Sequence, residues 1–374
     1  MKTGDDMLTT HQVVEYLLQH KFLASDSLVA GDLKVVDVSR RNVVFKVICS
    51  HGPSYLVKQG NTPATISAVE HEAAVYALLH SGQSEKNVRA PSLSEYIPYF
   101  HAYDRSEGLL VLELLRDGED LHRYHAHKRK FLKSLAASMG TVLGRLHSLR
   151  TDDHRLSFIP QHLPWALAIH RPPIGIFKEA SGANLQMIQI IQGCPEFCAC
   201  LDDLRRDWRL DRLIHRDIKL ENWIVASESS VPGRPRLKLV DWELAARGDP
   251  CWDVGSLFSG YLSFWLSSVP ITGREPPERF LQLSSCPLER IQPVLCSFWG
   301  SYCNSMGFGT LAHEWLLRST RYAAVRLIQT AFEQSKKTRE LTGNVVGLLQ
   351  LSLNILRRPQ EATALLLRCT FPHG

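Results

Sequence analysis

The sequence HRDIKLEN, at residues 215–222, decides how this chain is interpreted. It places an acid, Asp217, two residues before Lys219 and five residues before Asn222, directly after an apolar Leu-Ile pair. A second acid, Asp241, follows Asn222 by nineteen residues in the string LKLVDWE. Phosphoryl transfer from a nucleotide needs such a set, because one carboxylate must hold the attacking hydroxyl while an amide oxygen and a second carboxylate hold Mg²⁺. Either acid alone would mean little, but the ordered pair predicts phosphoryl-transfer chemistry.

Composition favours an ordinary folded protein over a nucleic-acid-binding one. The chain has 374 residues, of which 44% are hydrophobic and 22% charged, which is enough for one large domain in two parts. The net charge of +5 is mild, and its one concentrated basic run, residues 122–130, is typical of an exposed helix start. Binding to nucleic acid would need a denser basic stripe, so we expect no nucleic-acid partner.

The sequence predicts a cytoplasmic protein without a membrane partner. No apolar segment follows basic residues at the N-terminus, and apolar stretches such as 344–356 are interrupted by polar residues. Nine cysteines, an odd number, do not form the pattern of a disulfide framework. Three of them, Cys194, Cys198 and Cys200, are close together but lack the spacing of a zinc site, which favours structural thiols over a zinc or redox role.

Hydrophobic periodicity predicts an α+β protein. Residues 33–57 contain three β-branched runs separated by turns, which predict an antiparallel meander. Residues 67–79 have helical spacing, 108–115 form a buried strand, and 131–149 carry the apolar stripe of a helix. Helical patterns continue beyond residue 253, so we expect a small β-rich part with one key helix and a larger, mainly helical part.

The chemistry of the two motifs gives each side chain a candidate role. The carboxylate of Asp217 would orient the attacking hydroxyl and accept its proton. Asn222 and Asp241 offer hard oxygen ligands that suit Mg²⁺. The compact cation of Lys219 would stabilise charge on the transferred phosphoryl group.

These motifs resemble those of the aminoglycoside phosphotransferase and choline kinase branch of the protein-kinase-like fold. HRDIKLEN is similar to the catalytic loop of that branch. VDWELA is similar to its metal-binding segment, and GDPCWDVG to the residues that follow this segment. The resemblance extends from about residue 35 to residue 258 and implies a two-lobed protein-kinase-like fold. It also implies that Asp253 anchors the catalytic loop rather than touching the substrate.

The same resemblance implies a division of the chain into two lobes. Residues 1–115 would form a nucleotide-binding lobe that ends in the connector between the lobes, and residues 116–374 a helical lobe. The helical lobe would contain, besides the C-terminal helices, the catalytic loop at 215–222, a metal segment at 241–253 and an acceptor-binding insertion at 150–212.

The resemblance further implies a set of nucleotide-binding residues. Lys58 would pair with the nucleotide phosphates, and its ion-pair partner on the next helix is Glu72 or, as second choice, Glu70, because residues two apart face different sides of a helix. The backbone at Glu113 and Leu115, in the connector, would bind the edge of the base. ATP is expected as the donor because it is the commoner one in this branch, with Mg²⁺ as the metal.

The first hairpin departs from the kinase pattern because it lacks glycines. Its turn contains Ser39, two arginines and Asn42, so a hydroxyl, an amide and backbone N–H groups would have to cover the phosphates. Either arginine of the turn is a further candidate for a phosphate contact. Only eleven residues separate Asp241 from Asp253, which leaves no room for a long activation loop and predicts a constitutively assembled enzyme.

The sequence is least informative about the acceptor. The aspartates between residues 202 and 211 would suit a cationic aminoglycoside, but arginines are interleaved with them, which favours an ion-paired helix. The segment 318–368 is basic and includes Arg326, a poor match for a polycation. We expect transfer to a hydroxyl of a small molecule, as in aminoglycoside phosphotransferases. The alternatives are a peptide Ser or Thr in a biosynthetic pathway and a catalytically silent nucleotide-binding protein, which the missing glycines suggest.

Overall fold

A computed structural model describes residues 7–25, 31–81, 93–149, 156–226, 236–270 and 283–369. The chain folds into two compact units. The first unit consists of Met1–Leu121 and Asn222–Ala245, and the second of His122–Glu221 and Ala246–Gly374. The beginning of the expected insertion, residues 150–155, lies outside the described residues.

The regular elements of the described residues are given in chain order. The strands are β1 (Leu33–Asp37), β2 (Val43–Cys49), β3 (Tyr55–Gln59), β4 (Phe100–Asp104), β5 (Leu109–Glu113), β6 (Glu119–Asp120), β7 (Arg212–Ile214), β8 (Trp223–Ala226), β9 (Arg236–Leu239) and β10 (Ala246–Gly248). The α-helices are α1 (Thr10–Gln19), α2 (Pro63–Ser81), α3 (Leu121–Lys128), α4 (Lys133–Ser148), α5 (Ile174–Glu179), α6 (Gly182–Gln192), α7 (Pro195–Arg206), α8 (Pro250–Ser267), α9 (Leu288–Met306), α10 (Ala312–Gln334), α11 (Gly343–Arg357) and α12 (Pro359–Ala362). Short 3₁₀ turns occur at Leu93–Tyr96, Trp165–Ala168, Leu220–Asn222, Trp242–Leu244 and Gly309–Leu311, and a π-turn at Thr363–Leu367.

The first unit is built on a five-stranded sheet in the order β1-β2-β3-β5-β4, in which all neighbouring pairs are antiparallel. The predicted meander is therefore confirmed by the consecutive pairs β1–β2 and β2–β3. Residues of β2 alternate between buried and more exposed positions, as the period of two in a strand requires. The predicted strand at 108–115 is β5, which lies between β3 and β4.

Helix α1 covers one face of this sheet. Its apolar side chains Val13, Tyr16 and Leu17 share a buried cluster with the sheet residues Phe45 and Val57. The helix begins with a capping box, in which the side chain of Thr9 accepts from the backbone of Gln12 and the Gln12 side chain accepts from the backbone of Thr9. Because successive strand residues face opposite sides of a sheet, the residue after Val57 points away from α1. That residue is Lys58.

The hairpin of β8 and β9 belongs to the first unit. Strand β6 pairs with β8, and β8 pairs with β9, to form a three-stranded antiparallel sheet. These pairings explain why Asn222–Ala245 joins the first unit, although the sequence assigned everything after residue 115 to the helical part.

The second unit is mainly helical, with one small sheet of β7 and β10. Glycines allow two of its helix pairs to approach closely. A Cβ at Gly140 of α4 would lie 2.3 Å from the carbonyl oxygen of Phe298 on α9, and a Cβ at Gly255 of α8 would lie 2.5 Å from that of Ser319 on α10. The second approach places the start of α8 beside α10. Among the described helices, none reaches the combination of length and apolar composition that a bilayer-spanning helix needs.

Candidate active site

Lys58 is the centre of a charged cluster in the first unit. Its Nζ lies 2.9 Å from Oε2 and 3.0 Å from Oε1 of Glu72 on α2, and 3.0 Å from Oδ1 of Asp241. Lys58 is 9% exposed and Glu72 is fully buried. The alternative partner, Glu70, instead accepts a hydrogen bond of 2.6 Å from the exposed Arg105.

The electrostatics of this cluster keep Lys58 charged. Burial alone would lower the pKa of Lys58, but the carboxylates of Glu72 and Asp241 outweigh it and raise the pKa above its ordinary value. The three side chains together bring one positive charge and two carboxylates into one site. Burial raises the pKa of Glu72 to about 7, although Lys58 opposes this effect, so a further cation beside the two carboxylates would favour the ionised form of Glu72.

The segment that carries Asp241 is held in a specific conformation. Asp241 has φ 71° and ψ 62°, a left-handed backbone that non-glycine residues adopt only when the surroundings impose it. The next residue, Trp242, is fully buried, and its Nε1 donates to the carbonyl of Leu239. His71 on α2 lies with Nε2 2.8 Å from the carbonyl oxygen of Ala245. Helix α2 thus holds Lys58 through Glu72 and the end of this segment through His71.

Asn222 is located at the end of the β8–β9 hairpin. It is buried, and its carbonyl accepts a 3.0 Å hydrogen bond from the N–H of Val240, the residue before Asp241. The pairing of β8 with β9 therefore places the backbone of Asn222 next to the residue that precedes Asp241. An amide oxygen and a carboxylate are hard donors, so this donor set suits Mg²⁺.

The turn between β1 and β2 is tied to the metal segment through Glu243. Asn42 Nδ2 donates to Glu243 Oε2 over 3.4 Å, and Arg41 Nη1 is 3.5 Å from Oε1 of the same carboxylate. Ser39 instead stabilises the turn itself, since its Oγ accepts from the N–H of Val44 at 3.0 Å. Sequence reasoning did not identify Glu243, although its position two residues after Asp241 was a usable signal.

The residues expected to bind the base are at the end of β5. The N–H of Glu113 donates to the carbonyl of Tyr99, and the N–H of Leu114 to the carbonyl of Ser54, both at 2.8 Å. These two donors are thus used within the first unit. Glu113 and Leu115 help to line a cavity of about 350 Å³ together with Ser54 and other residues of this unit.

In the second unit, Asp217 is surrounded by cations. Its Oδ2 is 2.7 Å from Nζ of Lys219, and its Oδ1 is 3.6 Å from Nη2 of Arg326 on α10. The Asp217 side chain is 15% exposed. Burial acts to raise the pKa of Asp217, but Arg326 and Lys219 outweigh it and lower the pKa to about 2. The carboxylate is therefore ionised at neutral pH.

Asp253 fixes the backbone at His215 and Arg216, in the loop that the resemblance interprets as catalytic. Its Oδ2 accepts from the N–H of His215 at 2.7 Å and its Oδ1 from the N–H of Arg216 at 2.8 Å. His147 Nε2 lies 3.2 Å from the same carboxylate, which is fully buried. Arg216 has φ 70°, a second left-handed non-glycine position, and its carbonyl accepts from Trp252 Nε1 at 3.1 Å. These contacts hold the loop from the N-terminal turn of α8.

Two other clusters from the sequence have structural roles. Cys198 and Cys200 direct their thiols at backbone carbonyls, and within the described residues no group of three or more His, Cys, Asp or Glu side chains is arranged to hold a metal ion. Asp202 pairs with Arg171 at 2.7 Å and Asp203 with Arg206 at 3.1 Å. The interpretation of that segment as an ion-paired helix is confirmed for Asp203, whereas Asp202 pairs with an arginine outside the segment.

Sequence reasoning also missed the contact between Arg326 and Asp217. The two residues are more than a hundred positions apart, so no local spacing connects them. One signal was present: Arg326 is the charged residue in the otherwise apolar string AAVRLI. A charge inside such a run is expected to have a buried partner.

Comparisons with known proteins connect these clusters to a family. A model of the APH phosphotransferase enzyme family matches residues 32–275. The solved structure of choline kinase from Cryptosporidium parvum Iowa II is 12% identical, with 96% of this chain and 98% of that chain covered and a TM-score of 0.55. The GDP and kanamycin complex of APH(2")-IIia is 14% identical, with 94% and 99% covered and a TM-score of 0.50. A search of curated proteins found no match.

At these identities, the solved structures show the fold alone. They confirm the predicted α+β class and its protein-kinase-like character, with a small antiparallel sheet and a larger helical part. The family model covers more than half of the chain and includes Lys58, Glu72, Asp217 and Asp241. The chain therefore belongs to the phosphotransferase enzyme family.

Proposed function

We propose that this protein is a Mg·ATP-dependent phosphotransferase that moves the γ-phosphoryl group to a hydroxyl of a small molecule. The observation that carries the proposal is the contact of Lys58 with both the buried Glu72 and the partly exposed Asp241, at 2.9–3.0 Å. A lysine fixed in this way presents a positive charge beside a metal-binding carboxylate, which is what the phosphates of a nucleotide require.

Residues of the first unit would bind the nucleotide. Lys58 pairs with phosphate oxygens, the turn that contains Ser39 and Asn42 covers them, and the backbone near Glu113 and Leu115 contacts the base. Asn222 and Asp241 supply the oxygen ligands for Mg²⁺. When bound, the ion neutralises charge on the phosphates.

Asp217 would hold the acceptor. Its ionised carboxylate accepts a hydrogen bond from the acceptor hydroxyl and aligns the oxygen for attack. As the new P–O bond forms and the bond to ADP breaks, the hydroxyl proton passes to Asp217. A carboxylate with a pKa of about 2 is a weak base, so its main contribution is to orient the hydroxyl until that proton becomes acidic. Lys219 would stabilise negative charge on the transferred group.

The test measures transfer of radiolabelled phosphate from ATP by the full chain, with Mg²⁺ or with EDTA. The acceptor panel contains small alcohols, aminoglycosides, choline and a Ser/Thr peptide. We expect Mg²⁺-dependent transfer by the wild type and a loss of about 10³-fold in Asp217→Asn, because that variant lacks the group that orients and deprotonates the hydroxyl. Asp217→Asn should keep its stabilisation by Mg·ATP.

The outcomes separate the candidate functions. Transfer to the peptide alone supports a peptide kinase. Nucleotide binding without turnover, at the same level in wild type and Asp217→Asn, supports a silent nucleotide-binding protein and rules out the proposed enzyme.

A further inference from the structure

Arg326 occupies an unusual position for a charged residue. It lies on α10 between Val325 and Leu327 and is only 5% exposed. Its guanidinium carbon is 5.7 Å from the ring centroid of Trp252 on α8, which allows a cation–π contact, and its Nη2 is 3.6 Å from Oδ1 of Asp217. It lies outside residues 32–275, the segment that matches the family model.

Among the residues that the structure describes, one end of the Arg326 guanidinium has no partner. Nη1 is shielded from solvent and has no hydrogen-bond partner within the described residues. A buried cationic donor without a partner costs free energy, because it has lost its hydration without a replacement. Contact with Asp217 involves the other nitrogen, Nη2. Nη1 is thus a donor whose acceptor the described protein residues do not supply.

The charged groups around Arg326 also favour an anion. Three cations, Lys219, Arg216 and Arg326, interact with Asp217, whereas the second carboxylate, Asp253, is used by two backbone N–H groups of the loop and by His147. Burial, with a further contribution from Arg326, lowers the pKa of Arg216 to about 10, although both carboxylates oppose this effect. Two guanidinium groups that repel one another at a buried site are stabilised by an added negative charge.

We infer that the acceptor is an alcohol that also carries an anionic group, a carboxylate or a phosphate, and that Arg326 binds this group through Nη1. The inference rests on the proposed function, in which Asp217 holds the acceptor hydroxyl. A guanidinium suits this role because its planar donors match carboxylate and phosphate oxygens. The hydroxyl and the anionic group would be only a few bonds apart, since Arg326 already contacts Asp217. Polycationic acceptors are disfavoured at this site.

Binding of matched compounds to the full chain without nucleotide tests the inference. The melting temperature is titrated with sodium glycerate, sodium 3-hydroxybutyrate and glycerol 3-phosphate, and in parallel with glycerol, 1,3-butanediol and choline, all at one ionic strength. We expect saturable stabilisation by at least one anion and none by its neutral counterpart. Arg326→Gln should weaken that binding about 10- to 100-fold, and Arg326→Lys by less. Arg321→Gln, on the same helix, is the matched control and should bind like the wild type.

Kinetics separate a binding role from a positioning role. For an anionic acceptor, Arg326→Gln should raise KM at least about 10-fold more than it does for a neutral alcohol. An equal loss of kcat for every acceptor would mean that Arg326 only positions Asp217, and would overturn the inference.

Three further results would overturn it. One is equal stabilisation of the wild type by anions and neutral alcohols, or no stabilisation by any of the anions. Another is an undiminished anion effect in Arg326→Gln. The third is a loss of Mg·ATP binding in that variant with unchanged hydroxy-acid binding, which would assign Nη1 to a nucleotide phosphate. If Arg326→Gln does not fold, two measurements still test the inference. They are anion binding by Arg326→Lys and the comparison of anions with neutral alcohols on the wild type. Because the binding assay contains no nucleotide, its result is independent of whether the proposed transfer occurs.

Discussion

Asp241 and Asp217, one in each unit, are found in opposite electrostatic surroundings. In the first unit, Asp241 shares Lys58 with a second carboxylate, Glu72. In the second unit, Asp217 is close to two cations, Lys219 at 2.7 Å and Arg326 at 3.6 Å. The first cluster has two carboxylates beside one lysine and suits a divalent cation, and the second has two cations beside one carboxylate and suits an anion. The motif identifies both acids, but their neighbours decide what each can bind.

Removing the charge of Asp241 should have the largest effect. Asp241→Asn takes away the assigned metal ligand and one partner of Lys58, so we expect turnover to fall about 10⁴-fold. The stabilisation that Mg²⁺ adds to ATP binding should be lost as well. Thermal melts with ATP, with and without Mg²⁺, measure this directly.

The comparator for that experiment is Asp217→Asn, which should be nearly as inactive yet keep its Mg²⁺-dependent stabilisation. If both variants respond to Mg²⁺ in the same way, the two clusters do not differ in the manner described.

Removing the charge of Glu72, the buried partner of Lys58, should have an intermediate effect on catalysis. Glu72→Gln removes one charge-assisted contact while Asp241 still holds Lys58, so we expect kcat/KM for ATP to fall about 10- to 100-fold. Steady-state kinetics with varied ATP provide the measurement. Glu70→Gln is a matched control on the same helix, because Glu70 pairs only with the exposed Arg105 in the described residues. Equal losses in the two variants would argue against a special role for the buried pair.

The smallest effect concerns stability and pH. Lys219 and Arg326 help to hold the pKa of Asp217 at about 2, below its ordinary 3.8, so its ionised form stabilises the fold. Asp217→Asn should therefore lower the free energy of unfolding by about 2 kcal/mol at pH 7. Because the folded pKa is depressed, this difference is present above pH 4 and disappears as the pH falls towards 2. Denaturant unfolding at several pH values tests it.

A surface acid provides the control for this measurement. Asp203, whose side chain is 52% exposed, pairs with Arg206. Asp203→Asn should change stability by less than about 1 kcal/mol. A difference between wild type and Asp217→Asn that grows on acidification would contradict the charge balance assigned to the second cluster.

Local patterns predicted the regular elements well, because each is determined by neighbouring residues. The β-branched runs at 33–57 became β1 to β3, and the apolar stripe at 131–149 became α4, Lys133–Ser148. The key helix was expected from residue 67 but begins at Pro63. Thr62 before a proline is a helix-start signal that was overlooked, and its Oγ1 accepts from the N–H of Thr65 at 3.3 Å.

Contacts between distant residues were predictable only where a known motif supplied them. The resemblance gave the pair of Lys58 with Glu72 and the anchoring role of Asp253. It gave no information on Arg326, which follows Asp217 by more than a hundred residues, or on the pairing of β6 with β8. Such contacts depend on how helices and strands pack in three dimensions, which composition and spacing do not encode.

The position of helix α1 has a practical consequence for anyone who shortens this protein. Val13, Tyr16 and Leu17 are buried in the same cluster as Phe45 and Val57 of the sheet. A truncated version that starts after residue 25 would leave this apolar surface in contact with water and prone to self-association. The same surface would lie directly behind the strand that carries Lys58, so a truncation far from Lys58 in the sequence should also loosen this lysine.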